Sequence, residues 1–497
     1  MVGIDREILA MKAKTRGIIA AGHTETARAG AAMFAEGGNA FDAALAAMLV
    51  SFVAEPALTS LGGGGFMTAV QANGKPFTLD FFVQTPEKKQ PITAIDLAES
   101  VIDFGTTVQP QYIGRGTVAT PGCPAGAAYI HRHFCTLPLS VIAAPAIRLA
   151  REGCPLSVYQ QYTLDIIGKV LSYTPEARTI FCKENSAETL KAGDICRNLA
   201  FADALEHLCK HGFEDFYTGE MGEIFAKDSR ENGGSVHAED LRAFRAEVRQ
   251  PLHWHYRGSD FYTNPRPSTG GSLIAHGLAH WTKSPAAQPT GAEYVRSLAH
   301  TFRDMERFRT EGMNPLGNTT HFSIMDEFGN AAGLTTSQGG VSGVCLADTD
   351  ISLNNMLGEL DLSPNGLYSW SENERVSSMM SPSLILKNGK PTFVLGSGGS
   401  SRIRTAIVQV VVQLLHFESD IETAVSHSRM HWQGGTMNIE PHLLAAGESA
   451  EGLKDVAENI ILWQEQNMYF GGVHTVAQTP NGDLIAAADS RRDGHVA

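Results

Sequence analysis

A chain of 497 residues with 43% hydrophobic and 19% charged residues has the composition of a globular protein, and disorder is not expected. A net charge of −14 without any lysine–arginine run argues against nucleic acid and anionic membrane as partners. The most apolar stretch, residues 43–54, is too short to cross a bilayer.

Asp5, Arg6 and Glu7 interrupt the first sixteen residues, which have no apolar core. No secretory signal is read there, and a cytoplasmic location is expected. Cys123, Cys135, Cys154, Cys182, Cys196, Cys209 and Cys345 are scattered, odd in number and free of CxxC pairs. They read as free thiols rather than as a disulfide framework or a zinc site.

In chain order, Ile18-Ile19-Ala20-Ala21 reads as a short strand, followed by helical spacing over about residues 24–36. Gly37-Gly38-Asn39 stops that helix. Residues 40–53 are alanine-rich and apolar on nearly all sides, which predicts a buried helix. Gly62-Gly63-Gly64-Gly65 predicts a loop with something lying close to its backbone. It lacks phosphate-loop spacing and a following Lys-Ser/Thr, so nucleotide binding is set aside.

Asn73-Gly74 between apolar runs is a hairpin signal, and it returns at Asn388-Gly389 and Asn481-Gly482. Glu327-Phe328-Gly329-Asn330 is a fourth candidate turn. Such hairpins between helical segments, including residues 402–415, predict a layered α/β fold with antiparallel sheets covered by helices. Residues 137–281 read as mainly helical, with helical spacing at 145–151 and 201–210. A rigid turn, Asn264-Pro265-Arg266-Pro267-Ser268-Thr269-Gly270-Gly271, closes that region. His253 and His255, spaced i, i+2, read as structural, and no metal is expected. Neither a repeat nor a low-complexity linker divides the chain, so one body is expected.

Residues 314–318 should form an exposed loop, and Thr319-Thr320-His321-Phe322-Ser323 then opens a strand with period-2 alternation. A threonine at the head of a strand is ordinarily a good β-former with a satisfied hydroxyl. If the bond before Thr319 is cut, however, one residue carries both a nucleophilic hydroxyl and an amine base of ordinary pKa roughly 7.7–8.0. The residues alone leave both readings open.

Six segments, in order, resemble the γ-glutamyltranspeptidase family. They are Gly37-Gly38-Asn39-Ala40-Phe41-Asp42 running on to Leu61 through Met67, Leu137-Pro138-Leu139 with Pro145-Ala146-Ile147, Phe216-Tyr217-Thr218-Gly219, Pro265 through Gly271, and Thr319 through Ser323. The resemblance implies an N-terminal-nucleophile αββα sandwich and a proenzyme that cuts itself before Thr319. Residues 1–318 would then be a large chain and 319–497 a small one, associated in one interwoven body. It also implies attack by the Thr319 hydroxyl on a γ-glutamyl amide, an acyl-enzyme, and no metal or organic cofactor. A homo-oligomer stays open.

Thr335 and Ser337 fall where the family uses hydroxyl residues, and alternation puts them on one face. Oxyanion donors are expected from Ser378 and from the Gly398-Gly399 loop, which leads into a helix and so offers free N–H groups.

The departures concern the donor. Phe82 stands where the family holds the donor α-carboxylate with an arginine, and a phenyl ring makes no such salt bridge. After Asn354-Asn355, Met356 replaces an amide that reads the α-amino group, while Glu359 is placed to replace the acid. Met379 replaces one of two oxyanion serines and leaves Ser378. The alternatives are a hydrolase of a non-glutamyl amide, acylase-like, and a non-catalytic relative that keeps the fold as a scaffold.

Overall fold

Each of the four turn signals joins neighbouring antiparallel strands in the computed structural model, which describes residues 15–103, 108–310, 319–359 and 366–497. The first fourteen residues and the expected loop over 314–318 lie outside those residues. Asn388 and Gly389 both take positive φ (54° and 76°), the geometry that lets two residues reverse a twisted hairpin.

Among the described residues, one seven-stranded sheet runs in the order His495–Val496, Gly17–Ala21, Thr320–Asp326, Ala331–Ser337, Gly64–Val70, Phe77–Phe81, Glu247–Arg249. A six-stranded sheet runs Leu484–Ala487, Gly472–Gln478, Lys390–Gly398, Ser383–Lys387, Ser259–Thr263, Leu252–Tyr256. Period-2 alternation divides their side chains between three layers. Phe322, Ile324 and Leu334 pack against helices Thr24–Ala35 and Ala40–Ala54. Ile385 and Leu395 pack against helices Gly270–Trp281 and Ile403–Leu415. Between the sheets lie Val70, Met325, Leu384, Val394 and Val476. The result is an αββα sandwich, as expected.

Two local expectations are refined. The region 137–281 is mainly helical, as expected, but before its last helix it contributes three strands that join both sheets: Glu247–Arg249, Leu252–Tyr256 and Ser259–Thr263. They are short, and their hairpin turns on Arg257-Gly258 (φ 47° and 77°) instead of Asn-Gly. The four-glycine stretch is only half loop, because Gly64 and Gly65 open a strand. The close approach is real: a Cβ on Gly63 would lie 2.3 Å from the Ser337 carbonyl oxygen, and one on Gly65 2.6 Å from that of Thr335. Glycine sits there because of a neighbouring backbone, and an extended conformation tolerates it.

The strand Gly472–Gln478, which flanks Lys390–Gly398, is anchored by a buried ionic network. Arg429 Nη2 lies 2.6 Å from Asp489 Oδ2, Arg491 Nη1 lies 3.2 Å from Asp489 Oδ1, and Arg491 Nε donates to Glu440 at 2.7 Å. The Val473 N–H also donates to Asp489 at 3.0 Å. Burial alone would raise the Asp489 carboxyl, but Arg429 and Arg491 outweigh it and hold its pKa at about 2. Asp489→Ala leaves two guanidinium groups short of a buried partner and is expected to cost about 3–5 kcal/mol. Chemical denaturation of wild type and variant measures it, and a loss well under 1 kcal/mol would contradict this account.

Candidate active site

Thr319 stands at the head of the strand Thr320–Asp326, which lies between Gly17–Ala21 and Ala331–Ser337 in the first sheet. Thr320 faces the helical layer, where its hydroxyl donates to Glu55 Oε2 at 2.6 Å. His321 and Ser323 face the second sheet. Ser323 Oγ donates to the His474 carbonyl at 2.9 Å, and a Cβ on Gly396 would fall 2.3 Å from the His321 ring. Thr319 shares the His321 face by alternation, and it is buried. The Gly398 main chain lies on it so closely that a Cβ there would sit 2.2 Å from the Thr319 carbonyl oxygen. Gly399 takes φ 114° and starts the turn into helix Ile403–Leu415.

Thr335 is the cross-strand partner of His321, and its Oγ1 lies 2.8 Å from His321 Nδ1. Ser337 pairs with Gly64, and its hydroxyl accepts the Gly339 N–H at 3.0 Å. Both hydroxyls are on the Thr319 face, as alternation requires. Burial holds the His321 imidazole well below its ordinary pKa, and His474 adds to the effect.

Beyond Ser337 the chain turns at Gly339-Gly340 between Asn355 and Glu359. Glu359 Oε1 accepts the Gly340 N–H at 2.6 Å, and a Cβ on Gly339 would lie 2.4 Å from both Asn355 Oδ1 and Glu359 Oε1. Gln111 completes this polar corner by accepting from Asn355 Nδ2 at 3.1 Å. Asn354, in contrast, is a crosslink: its amide donates to the Gly62 and Ala119 carbonyls, both at 2.9 Å.

On the other flank the wall is apolar. Phe82 adjoins Gly64, where a Cβ would meet Phe82 Cα at 3.0 Å, and its ring stacks on Phe66 with centroids 5.4 Å apart. Met356 and Met379 belong to the same buried cluster. The Arg375 guanidinium reaches this segment but is engaged by the Phe82 carbonyl at 2.6 Å, the Arg245 carbonyl at 2.7 Å and the Asp80 carboxylate.

The fold therefore gathers Thr319, Thr335, Ser337 and Gly398, continues into Gly399, and sets Asn355 and Glu359 on one side and Phe82 on the other. Ser378 is tied elsewhere: its carbonyl accepts from the Thr269 N–H and the Ser268 hydroxyl, at 2.8 and 2.9 Å.

His321, Glu55 and Gln111 were not singled out from the sequence. His321 sits in the alternating pattern itself and could have been found there. Glu55 and Gln111 carry no local signal. Among the described residues no group of three His, Cys, Asp or Glu could hold a metal ion, and His253 and His255 both bond to Asp260.

This layered architecture, with a threonine heading a central strand, is the fold of the N-terminal-nucleophile hydrolases. The chain belongs to the gamma-glutamyltranspeptidase family, whose model matches residues 26–311 and 280–497. It is 27% identical to the glutathione hydrolase proenzyme of Escherichia coli, over 98% of this chain and 93% of that protein. It is 26% identical to the acylase ACY 1 proenzyme of a Pseudomonas species, over 97% of this chain and 93% of that one. The crystal structure of cephalosporin acylase from Bacillus halodurans shares the fold, with a TM-score of 0.84 and 22% identity over 97% and 96% of the two chains.

The polar group nearest the head of the strand also makes a stability prediction. Burial pushes the Glu55 carboxyl from an ordinary 4.5 up to about 7, although hydrogen bonds from Thr320 and Thr26 oppose the shift. The folded state thus binds the extra proton. Its contribution is fully present below 4.5 and is lost as pH rises through about 7. The loss should be on the order of 3 kcal/mol in wild type and absent in Glu55→Gln. Denaturation midpoints at acidic and alkaline pH compare the two, and parallel profiles would refute the assignment.

Proposed function

We propose that this chain is a self-processing amide hydrolase or acyltransferase whose nucleophile is Thr319. The single observation that carries the proposal is the Gly398 main chain lying against the Thr319 carbonyl, at the head of a buried strand flanked by Thr335 and Ser337. Proenzyme relatives support the processing step.

After cleavage the Thr319 hydroxyl attacks the carbonyl carbon of a bound amide, and the free α-amine of the same residue takes the hydroxyl proton. Main-chain N–H groups of the Gly398-Gly399 turn are the candidates to stabilise the oxyanion. Losing one such donor typically costs roughly 3 kcal/mol. Collapse breaks the C–N bond, the amine leaves with the proton, and an ester to Thr319 remains. Water or a second amine then attacks the ester and restores the hydroxyl.

The donor subsite favours an acyl group other than an unmodified γ-glutamyl one. Phe82, Phe66 and Met379 give an apolar wall, whereas Asn355 and Glu359 offer acceptors to an ammonium group. A donor with an amine but no adjacent carboxylate fits this pairing best. The acylase relative favours the same reading.

Purified protein should resolve on a denaturing gel into fragments of 318 residues and the remaining 179 of the 497. The smaller should begin Thr-Thr-His-Phe, and Thr319→Ala should stay in one piece. Full amidase activity from an uncleaved wild type would end the proposal.

For the donor, kcat/KM should be compared for glutathione and for the matching γ-aminobutyryl amide. Wild type should favour the second. Phe82→Arg should shift the ratio toward glutathione by about 10- to 150-fold, the value of one charge-assisted hydrogen bond. A wild type that strongly prefers glutathione would mean that another group reads the carboxylate.

A further inference from the structure

Thr335 has a single hydroxyl proton, so its use to Thr319 depends on where that proton points. A chain of buried hydrogen bonds decides this. The Ser323 hydroxyl donates to the His474 main-chain carbonyl at 2.9 Å, and a carbonyl can only accept. Ser323 Oγ also lies 2.8 Å from His321 Nε2. Having given its one proton to the carbonyl, Ser323 can only accept there, so Nε2 carries the imidazole proton. A neutral imidazole has one N–H, which leaves Nδ1 bare. Thr335 Oγ1, 2.8 Å from Nδ1, must therefore donate to it.

We propose that His321 is a positioning residue: with Ser323 and the His474 carbonyl, it turns the Thr335 hydroxyl into an obligate hydrogen-bond acceptor toward Thr319. The inference rests on the proposed role of Thr319 and deepens it. The register sets Thr335 on the Thr319 face, one same-face position from Ser337, which stands opposite Thr319. As an acceptor there, Thr335 would take an N–H of the freed α-amine and leave its lone pair for the proton of the attacking hydroxyl. A donating Thr335 would instead occupy that lone pair and disable the base.

Three features hold the ring in one state. It is fully buried, which disfavours the imidazolium. The groups facing it are Ser323 on its own strand, Thr335 on the partner strand, Gly396 and His474 on the second sheet. None of these is a carboxylate that would support a second proton. Finally, the Gly396 backbone packs so close to the ring that a Cβ there would fall 2.3–2.7 Å from Cε1, Nδ1 and Nε2. A side chain at Gly396 would push the ring out of reach of both hydroxyls.

The test reads the tautomer directly, in processed protein labelled with 15N-histidine, by long-range proton–nitrogen correlation. His321→Asn identifies the resonances among the 18 histidines. The expected result is an Nε2–H ring with bare Nδ1, unchanged from about pH 5.5 to 8.5, a span around the ordinary histidine value. A protonated Nδ1 or an imidazolium at His321 in wild type overturns the proposal.

Kinetics supply the second arm. Ser323→Ala removes the anchor, so the ring should populate both tautomers, and kcat should fall about tenfold, the effect of one lost hydrogen bond, with KM nearly unchanged. His321→Asn, whose side-chain oxygen can stand in for Nδ1, should retain more kcat than His321→Gln. An unchanged kcat in Ser323→Ala, or the reverse order of the two His321 variants, also overturns it. Failure of the underlying reading looks different, because it would appear as residual activity in Thr319→Ala whatever the tautomer.

Discussion

Every residue of the strand Thr320–Asp326 is buried, so each of its polar groups must find a partner inside the protein. That requirement ties the layers together. Asp326 accepts the Ala40 N–H at 2.9 Å, at the positive end of helix Ala40–Ala54, and Thr320 bonds to Glu55, which caps the other end. A helix of this length spans about 22 Å, close to the roughly 20 Å of the strand beside it. Polar contacts at both ends thus hold an otherwise apolar helix in register with the strand. On the opposite face, Ser323 bonds to the second sheet through His474. Shift this strand by one residue and all of these partners are lost together.

The same crowding accounts for the glycines. At Gly63, Gly65, Gly396 and Gly398 a neighbouring carbonyl or ring occupies the place of a Cβ. The space so released lets the backbone come close to the Thr319 carbonyl on one side and to the His321 ring on the other. Chemistry at a strand end needs donors and acceptors placed to fractions of an ångström, and main chain packed on main chain achieves this better than flexible side chains do.

Bond-making and donor choice are separable in this architecture. The threonine and its hydroxyl neighbours sit on two neighbouring strands of the first sheet, and the glycine turn ends a strand of the second sheet. The walls proposed for the donor come from other segments: Phe82 across Gly64, and Asn355 and Glu359 across the Gly339-Gly340 turn. On the proposed reading, a guanidinium in place of the Phe82 ring would change the donor wall without moving the atoms around Thr319. A glutathione hydrolase proenzyme and an acylase proenzyme each align with nearly the whole of this chain.

The hairpins, the buried helix Ala40–Ala54 and the two faces of the Thr319 strand were legible in the chain because period and turn chemistry are local properties. The three strands between residues 247 and 263 were less so, since they are short and the last two turn on Arg257-Gly258, which carries no strong signal. Thr335 and Ser337 could be put on one face by counting, but their hydrogen-bond partners could not be assigned that way. Glu55 lies 265 positions from Thr320, and Gln111 lies 244 from Asn355. No local pattern encodes contacts over such separations. The sequence by itself determined which residues share a face with Thr319. Only the packing of two sheets decided that His321, wedged between Ser323 and Gly396, governs the direction of the Thr335 proton, because a hydroxyl takes its orientation from its neighbours in space.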